Sequence, residues 1–288
     1  MSVASTAPTA PTAPLAAERS GHGAPLVLLH GVGHFGRAWR PVVALLSREF
    51  DVIALDLPGF GASAPLPDGT TPTVPALAEA VTADLRARGI EHAHVAGNSM
   101  GGALALELAL SGVAASTTAF SPAGFWTDAE RRYCQLSLGL LINIPGPARP
   151  GVLAAVRTAA GRRVLLAQLS AHPERLPAEE AVATLENAWA SPSFAATLAA
   201  FSGYELRPDH APTVPVTVAW GATDRLLIPR QADRARERLP EATHVRIGTG
   251  HVPFTDDPEA VAATIWATVA RARATSSATA ATAVSSRS

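Results

Sequence analysis

The chain has 288 residues, 48% of them hydrophobic, enough for one large core or for a core with a smaller inserted unit. Its 23 basic side chains stand against 24 acidic ones, a formal net charge of -1 that leaves no basic surplus for a nucleic-acid backbone. Every basic residue is arginine, so Schiff-base, Ser–Lys and P-loop lysine chemistry are excluded.

Residues 1–23 open with "MSVASTAPTAPTAP", an Ala/Thr/Pro segment with no basic start and no apolar h-region. It reads as a disordered tail rather than a signal peptide, with room for a short strand near "LAAERSG". Strands are expected at 25–30, 51–57, 92–99, 116–121, 214–221 and 243–248, each short and continuously apolar. Helical stretches separate the first four. "VPALAEAVTADLRARG" (74–89) has apolar residues at helical spacing and ends at glycine. From 123 to 208 the chain has helical patterns and prolines but no good strand, which is too long for a loop and reads as a helical cap. "DDPEAVAATIWATVARAR" (256–273) is a further helix, striped by Val261, Ile265 and Val269. A disordered tail is expected over 273–288. This alternation implies a mostly parallel sheet with helices on both faces, over 24–122 and 209–272. No run of about 18 apolar residues suggests a membrane span. The single cysteine, Cys134, allows no internal disulfide, and a reducing, cytoplasmic setting is expected.

One segment carries chemistry. "GNSMG" (97–101) matches the G-x-S-x-G turn that holds a serine between a strand and a helix. Such a turn needs neighbours without bulky side chains, here Gly97 and Gly101, and the helix that follows aims its positive end at Ser99. The bland alternative is a packing joint. A serine nucleophile needs a base, and the base needs an orienting acid. His251 in "GTGHVPF" and Asp224 in "WGATDRLLIP" each follow a strand, and the order Ser99, Asp224, His251 is that of hydrolases built on this sheet. The other eight histidines lack that position, and among rival acids Asp257 reads as a helix N-cap. "LLHGVGHFGRAW" (28–39) ends a strand in glycines. The N–H of Val32, or else of Gly33, together with that of Met100 would form an oxyanion hole.

"HGVGHFGRAW", "DLPGFGAS", "GNSMGG", "WGATDRLLIP" and "GTGHVPFTDDP", in this order, resemble the α/β-hydrolase fold family of the capped, esterase-like kind, over residues 24–272. The resemblance implies a serine hydrolase that cleaves a carboxylic ester or related acyl compound, with no metal or organic cofactor. The short N-terminus implies that the first one or two family strands are missing or reduced. Serine rather than aspartate at position 99 speaks against dehalogenase and soluble epoxide-hydrolase chemistry. "GNSMGG" also occurs in carbon–carbon bond hydrolases, but those usually carry tryptophan after the histidine, where Val252-Pro253 stands here. Thioester cleavage, acyl transfer and a non-catalytic ligand-binding role are the remaining alternatives. The expected partner is a small, apolar acyl substrate. In the cap, Trp126, Leu136, Leu140, Leu141, Trp189 and Phe201 are candidates for its acyl site, and equally for cap packing.

Overall fold

A computed structural model of the chain describes residues 13–285. The N-terminal half carries β1 (Ala17–Ser20), β2 (Ala24–Leu29), α1 (Arg40–Leu46), β3 (Phe50–Leu55), α2 (Val74–Ala87), β4 (Ala93–Asn98), α3 (Met100–Leu110) and β5 (Ala114–Phe120). Then come five consecutive helices, α4 (Asp128–Ile142), α5 (Arg149–Arg157), α6 (Ala159–Leu165), α7 (Ala178–Ala190) and α8 (Phe194–Ala200). The chain closes with β6 (Val216–Gly221), α9 (Arg230–Arg238), β7 (Thr243–Ile247), α10 (Pro253–Asp256) and α11 (Pro258–Ser285). The strands form one sheet in the order β1-β3-β2-β4-β5-β6-β7. All neighbouring pairs are parallel except β1 against β3. This is the expected α/β architecture, and each expected strand appears with its ends shifted by a residue or two.

The continuous apolar runs have a simple cause, since successive residues of a strand face opposite sides. On β2, Leu26 and Leu28 pack with Val42 and Leu46 of α1 and with Val261, Ile265 and Val269 of α11. Val27 and Leu29 face the other layer, with Leu77 and Val81 of α2 and Leu104 of α3. Both faces are therefore dry. Each such side chain contributes about 1.5–3 kcal/mol on burial.

The tails depart from expectation. Residues 1–12 lie outside the described residues, but 17–20 are not a disordered tail. They form β1, paired in register from Ala17 opposite Leu55 to Ser20 opposite Val52. Leu15 is buried and its N–H donates to Asp84 at 2.9 Å, while Arg19 pairs with Asp51 across the strands. The strand falls where "LAAERSG" left room for one, although a four-residue edge strand has almost no pattern of its own. At the other end, α11 runs through the expected boundary at 272 to Ser285. No glycine or proline interrupts 273–285, and its alanines have high helix propensity. Residues 286–288 lie outside the described residues.

Candidate active site

Ser99 sits between β4 and α3 with φ 58° and ψ -117°, a backbone conformation that a non-glycine residue adopts at a cost. Its surroundings hold it there. The Ser99 N–H donates to the Phe120 carbonyl at 2.9 Å, and its own carbonyl accepts from Ala103 and Ala123 at 3.0 Å each. The flanking glycines are steric requirements. A Cβ on Gly97 would lie 2.0 Å from the Gly101 carbonyl oxygen, and one on Gly101 would lie 2.1 Å from that of Leu29. The close approach of β2, β4 and α3 is what lifts Ser99 to the carboxyl end of the sheet. The first N–H groups of α3, including that of Met100, have no partner within the helix and point toward Ser99.

Asp224 follows β6 and His251 follows β7. Nδ1 of His251 lies 2.8 Å from Oδ2 of Asp224, and both side chains are buried. The other carboxylate oxygen, Oδ1, accepts from the N–H groups of Leu226 and Leu227 at 2.9 Å each. A carboxylate can only accept, so the tautomer of a neutral His251 that this bond selects has its proton on Nδ1 and a lone pair on Nε2. Asn98, next to Ser99, donates from Nδ2 to the His251 carbonyl at 2.8 Å and so couples the two loops. Ser99 and His251 both line one cavity of about 40 Å³, with Gly31, Val32, Gly33 and His34 on one side. On the usual scale for buried water this holds a few water molecules, which leaves room for a short acyl group and not for a long chain.

The loop after β2 is braced from several directions. His30 accepts the Leu57 N–H on Nε2 at 2.9 Å and donates from Nδ1 to the Gly31 carbonyl at 2.8 Å. Burial holds His30 neutral, with its pKa lowered to about 4. Asp56 accepts from Gly36 at 2.7 Å and from Ala62 at 2.8 Å, which ties "DLPGFGAS" to the same loop. Gly33 has φ +81°, and a Cβ there would lie 2.6 Å from the Phe194 ring. Burial, and then the neighbouring His30 and His251, lower His34 to about 3.

The cap helices close over this loop. Asn187 of α7 donates from Nδ2 to the carbonyls of Gly33 and His34, at 3.2 Å each. Asp256 joins the cap to the histidine loop. It accepts from Gly250 at 2.7 Å, Ala171 at 2.9 Å and His172 at 3.0 Å, and from the Ser170 hydroxyl. Asn98, Asp56, Asn187, Asp256 and His34 escaped the sequence reading as site residues. Asn98, Asp56, His34 and Asp256 lie inside the family motifs, so a local signal marked their segments, and only Asn187 lies outside them. Asn187 acts across more than 150 residues and carries none, and Asp256, besides its bond to Gly250 in the same loop, reaches Ala171 and His172 across more than 80.

The six cap residues expected at an acyl site part company. Leu141 lines the cavity, along with Leu138. Leu136 and Leu140 are 70% and 77% exposed, on the solvent side of α4. The helix turns about 100° per residue, so 138 and 141 share a face that 136 and 140 do not. Trp126 is buried, donates to the Tyr204 carbonyl at 3.0 Å and packs on Phe201, outside the cavity. Phe201 also lines the cavity, whereas Trp189 donates to the Leu141 carbonyl and is stacked under Arg149. Cys134 is no rival nucleophile, because burial and the nearby Asp224 push its thiol up to about 12. Among the described residues no group of three or more His, Cys, Asp or Glu is arranged to hold a metal, and no helix is long and apolar enough to cross a membrane.

A serine raised on a strained turn, a histidine–aspartate pair beside it and helix N–H groups below it make a site suited to acyl chemistry on a doubly wound sheet. Residues 26–264 match the alpha/beta hydrolase family, and the chain belongs to that family of enzymes. It is 44% identical over 97 residues to a pimeloyl-[acyl-carrier protein] methyl ester esterase of Aeromonas hydrophila, a match that spans 34% of this chain and only 36% of that enzyme. An uncharacterized protein of Mycobacterium tuberculosis is 30% identical over 253 residues, covering 83% of this chain and 73% of its own. A thermophilic esterase from Thermogutta terrifontis superposes with a TM-score of 0.69 at 22% identity, over 90% of this chain and 93% of the other, a likeness of fold alone.

Proposed function

We propose that the protein is a serine hydrolase acting on a carboxylic ester or related acyl compound, with Ser99, His251 and Asp224 as its triad. The observation that carries this is His251, hydrogen-bonded to Asp224, lining the same cavity as the strained Ser99 turn. Nε2 of His251 takes the Ser99 proton as Oγ bonds to the substrate carbonyl carbon. Negative charge then develops on the carbonyl oxygen, where the N–H groups of Val32 and Met100 stabilise it. As the carbon–oxygen bond to the alcohol breaks, the alcohol leaves with the proton held by His251. Water adds to the acyl-enzyme through the same base, the acid departs and Ser99 regains its hydrogen.

An esterase function is also what the Aeromonas relative's name describes, in the third of each chain that aligns. A triad so held fits a catalyst better than a pure binding protein, because burying Asp224 against His251 adds little to ligand recognition. The test is covalent labelling with a fluorophosphonate together with hydrolysis of 4-nitrophenyl acetate. Wild type should react in both assays. Ser99→Ala should stay folded, fail to label and lose several orders of magnitude in turnover. Near-normal turnover by Ser99→Ala would remove the proposal.

A further inference from the structure

The cavity at Ser99 is too small for the substrate this chemistry needs, and a larger one lies behind its wall. That second cavity has a volume of about 500 Å³, between the segment 34–41 that leads into α1, the cap from Leu166 to Thr184 and the 252–258 segment. The two cavities have His34, Leu166, Leu169, Thr184 and Val252 as common lining. The volume falls within the ordinary range for small-molecule sites. Its floor is apolar, with Leu176 and Phe254 added to the common leucines and valine.

Its rim is not apolar. Arg37, Arg40 and Arg175 line it against one acid, Glu180. Arg37 is committed to Glu180, at 2.6 Å. Arg40 pairs with Glu18, but both side chains are about half exposed (53% and 45%), so that pair is weak and exchangeable. Arg175 is exposed. Even with Glu18 counted, one positive charge is left over at the mouth of an apolar chamber.

The chamber also has a side. Val252 lines both cavities and Phe254 and Thr255 follow it, so the chamber adjoins the loop that carries His251. In acyl transfer the base returns its proton to the leaving oxygen, and the alcohol arm must lie on that side. The acyl arm is left with the smaller space beside Leu138, Leu141 and Phe201.

We propose that the 500 Å³ cavity receives the leaving-alcohol arm of the ester, and that this arm is an aliphatic chain ending in an anionic group held by Arg175 and Arg40. The substrate class is then short-chain acyl esters of alcohols that carry a carboxylate or phosphate. This rests on the serine hydrolase reading. His34, neutral and set edge-on to Phe254 at 6.1 Å between ring centroids, stands in the wall between the two spaces and positions the arm as it passes.

The test uses the full-length protein and titrates acid release. The substrates are 6-acetoxyhexanoate, its neutral isostere 6-acetoxyhexanamide, 6-acetoxyhexyl phosphate, and monoethyl adipate, which carries the anion on the acyl arm. An anionic leaving arm should raise kcat/KM roughly ten-fold over the amide, the scale of one hydrogen bond to a charged group. The faster of the carboxylate and phosphate substrates identifies the head group, and either result supports the proposal. Arg175→Gln and Arg40→Gln should each reduce the anion-to-amide ratio. Independently of turnover, 6-hydroxyhexanoate should raise the Tm of Ser99→Ala more than 6-hydroxyhexanamide does, and Arg175→Gln should remove the difference. Equal kcat/KM for acid and amide, a preference for monoethyl adipate, or equal Tm shifts would overturn the proposal. Loss of the parent reading would look different, with no fluorophosphonate label and no turnover of 4-nitrophenyl acetate, while the Tm comparison would still decide the fate of the cavity.

Discussion

Replacing Asp224 by asparagine or by alanine separates the two tasks of this side chain. In Asp224→Asn, the amide oxygen can keep both N–H bonds from Leu226 and Leu227, now 2.9 Å long. The NH₂ group then faces Nδ1 of His251, where a carboxylate oxygen now sits at 2.8 Å. Two donors cannot share that line. The imidazole must therefore place its proton on Nε2 and accept on Nδ1, and Nε2 loses the lone pair that deprotonates Ser99. The rate should fall about 10⁴-fold, roughly 5.4 kcal/mol in the barrier. Stability should change by only about 1–2 kcal/mol, since no buried donor is orphaned. Asp224→Ala orphans three donors in a site that is 3% exposed, at about 1–3 kcal/mol each. It should be as inactive as Asp224→Asn and less stable by about 3 kcal/mol or more. The assays are kcat/KM for 4-nitrophenyl acetate and urea unfolding. If Asp224→Asn kept turnover within ten-fold of wild type, or if both variants were equally stable, the reasoning would fail.

Four further outcomes are expected. Gly101→Ala drives a Cβ to 2.1 Å from the Leu29 carbonyl oxygen, so backbone must shift, and unfolding in urea should show a loss of about 2 kcal/mol or more; a neutral result would mean that β2 and α3 can part at no cost. His30 has its folded pKa lowered to about 4 from 6.5, so the unfolded chain takes up a proton first as pH falls. The stability it contributes is complete above about pH 6.5, declines between 6.5 and 4 and amounts to about 3 kcal/mol, so wild type should lose that much more than His30→Gln across the window; parallel pH profiles would contradict this. Leu136→Ser and Leu140→Ser change solvent-facing positions and should leave stability within about 0.5 kcal/mol and acyl-chain preference unaltered. Leu141→Trp intrudes on the cavity and should shift preference toward shorter acyl groups in a panel of 4-nitrophenyl esters.

The sheet was legible in the sequence because its strands are dry on both faces, and a short apolar run between turn residues has few other uses. The glycine-flanked Ser99 was legible for a similarly local reason, since a turn this tight admits only small neighbours at 97 and 101. Chain order then singled out Asp224 and His251 as candidates, although no local pattern brings them within 2.8 Å of each other. That contact depends on β6 and β7 lying side by side in register from Thr217 opposite Thr243 to Gly221 opposite Ile247, a fact of tertiary structure. The cap shows the division most clearly. Leucines at 136, 138, 140 and 141 look alike in the sequence, and only the docking of α4 on the core turns 138 and 141 inward. Asn187, Asp256 and the arginine-rimmed chamber were equally silent. Each depends on segments far apart along the chain, and hydrophobic spacing and turn chemistry report only on neighbours.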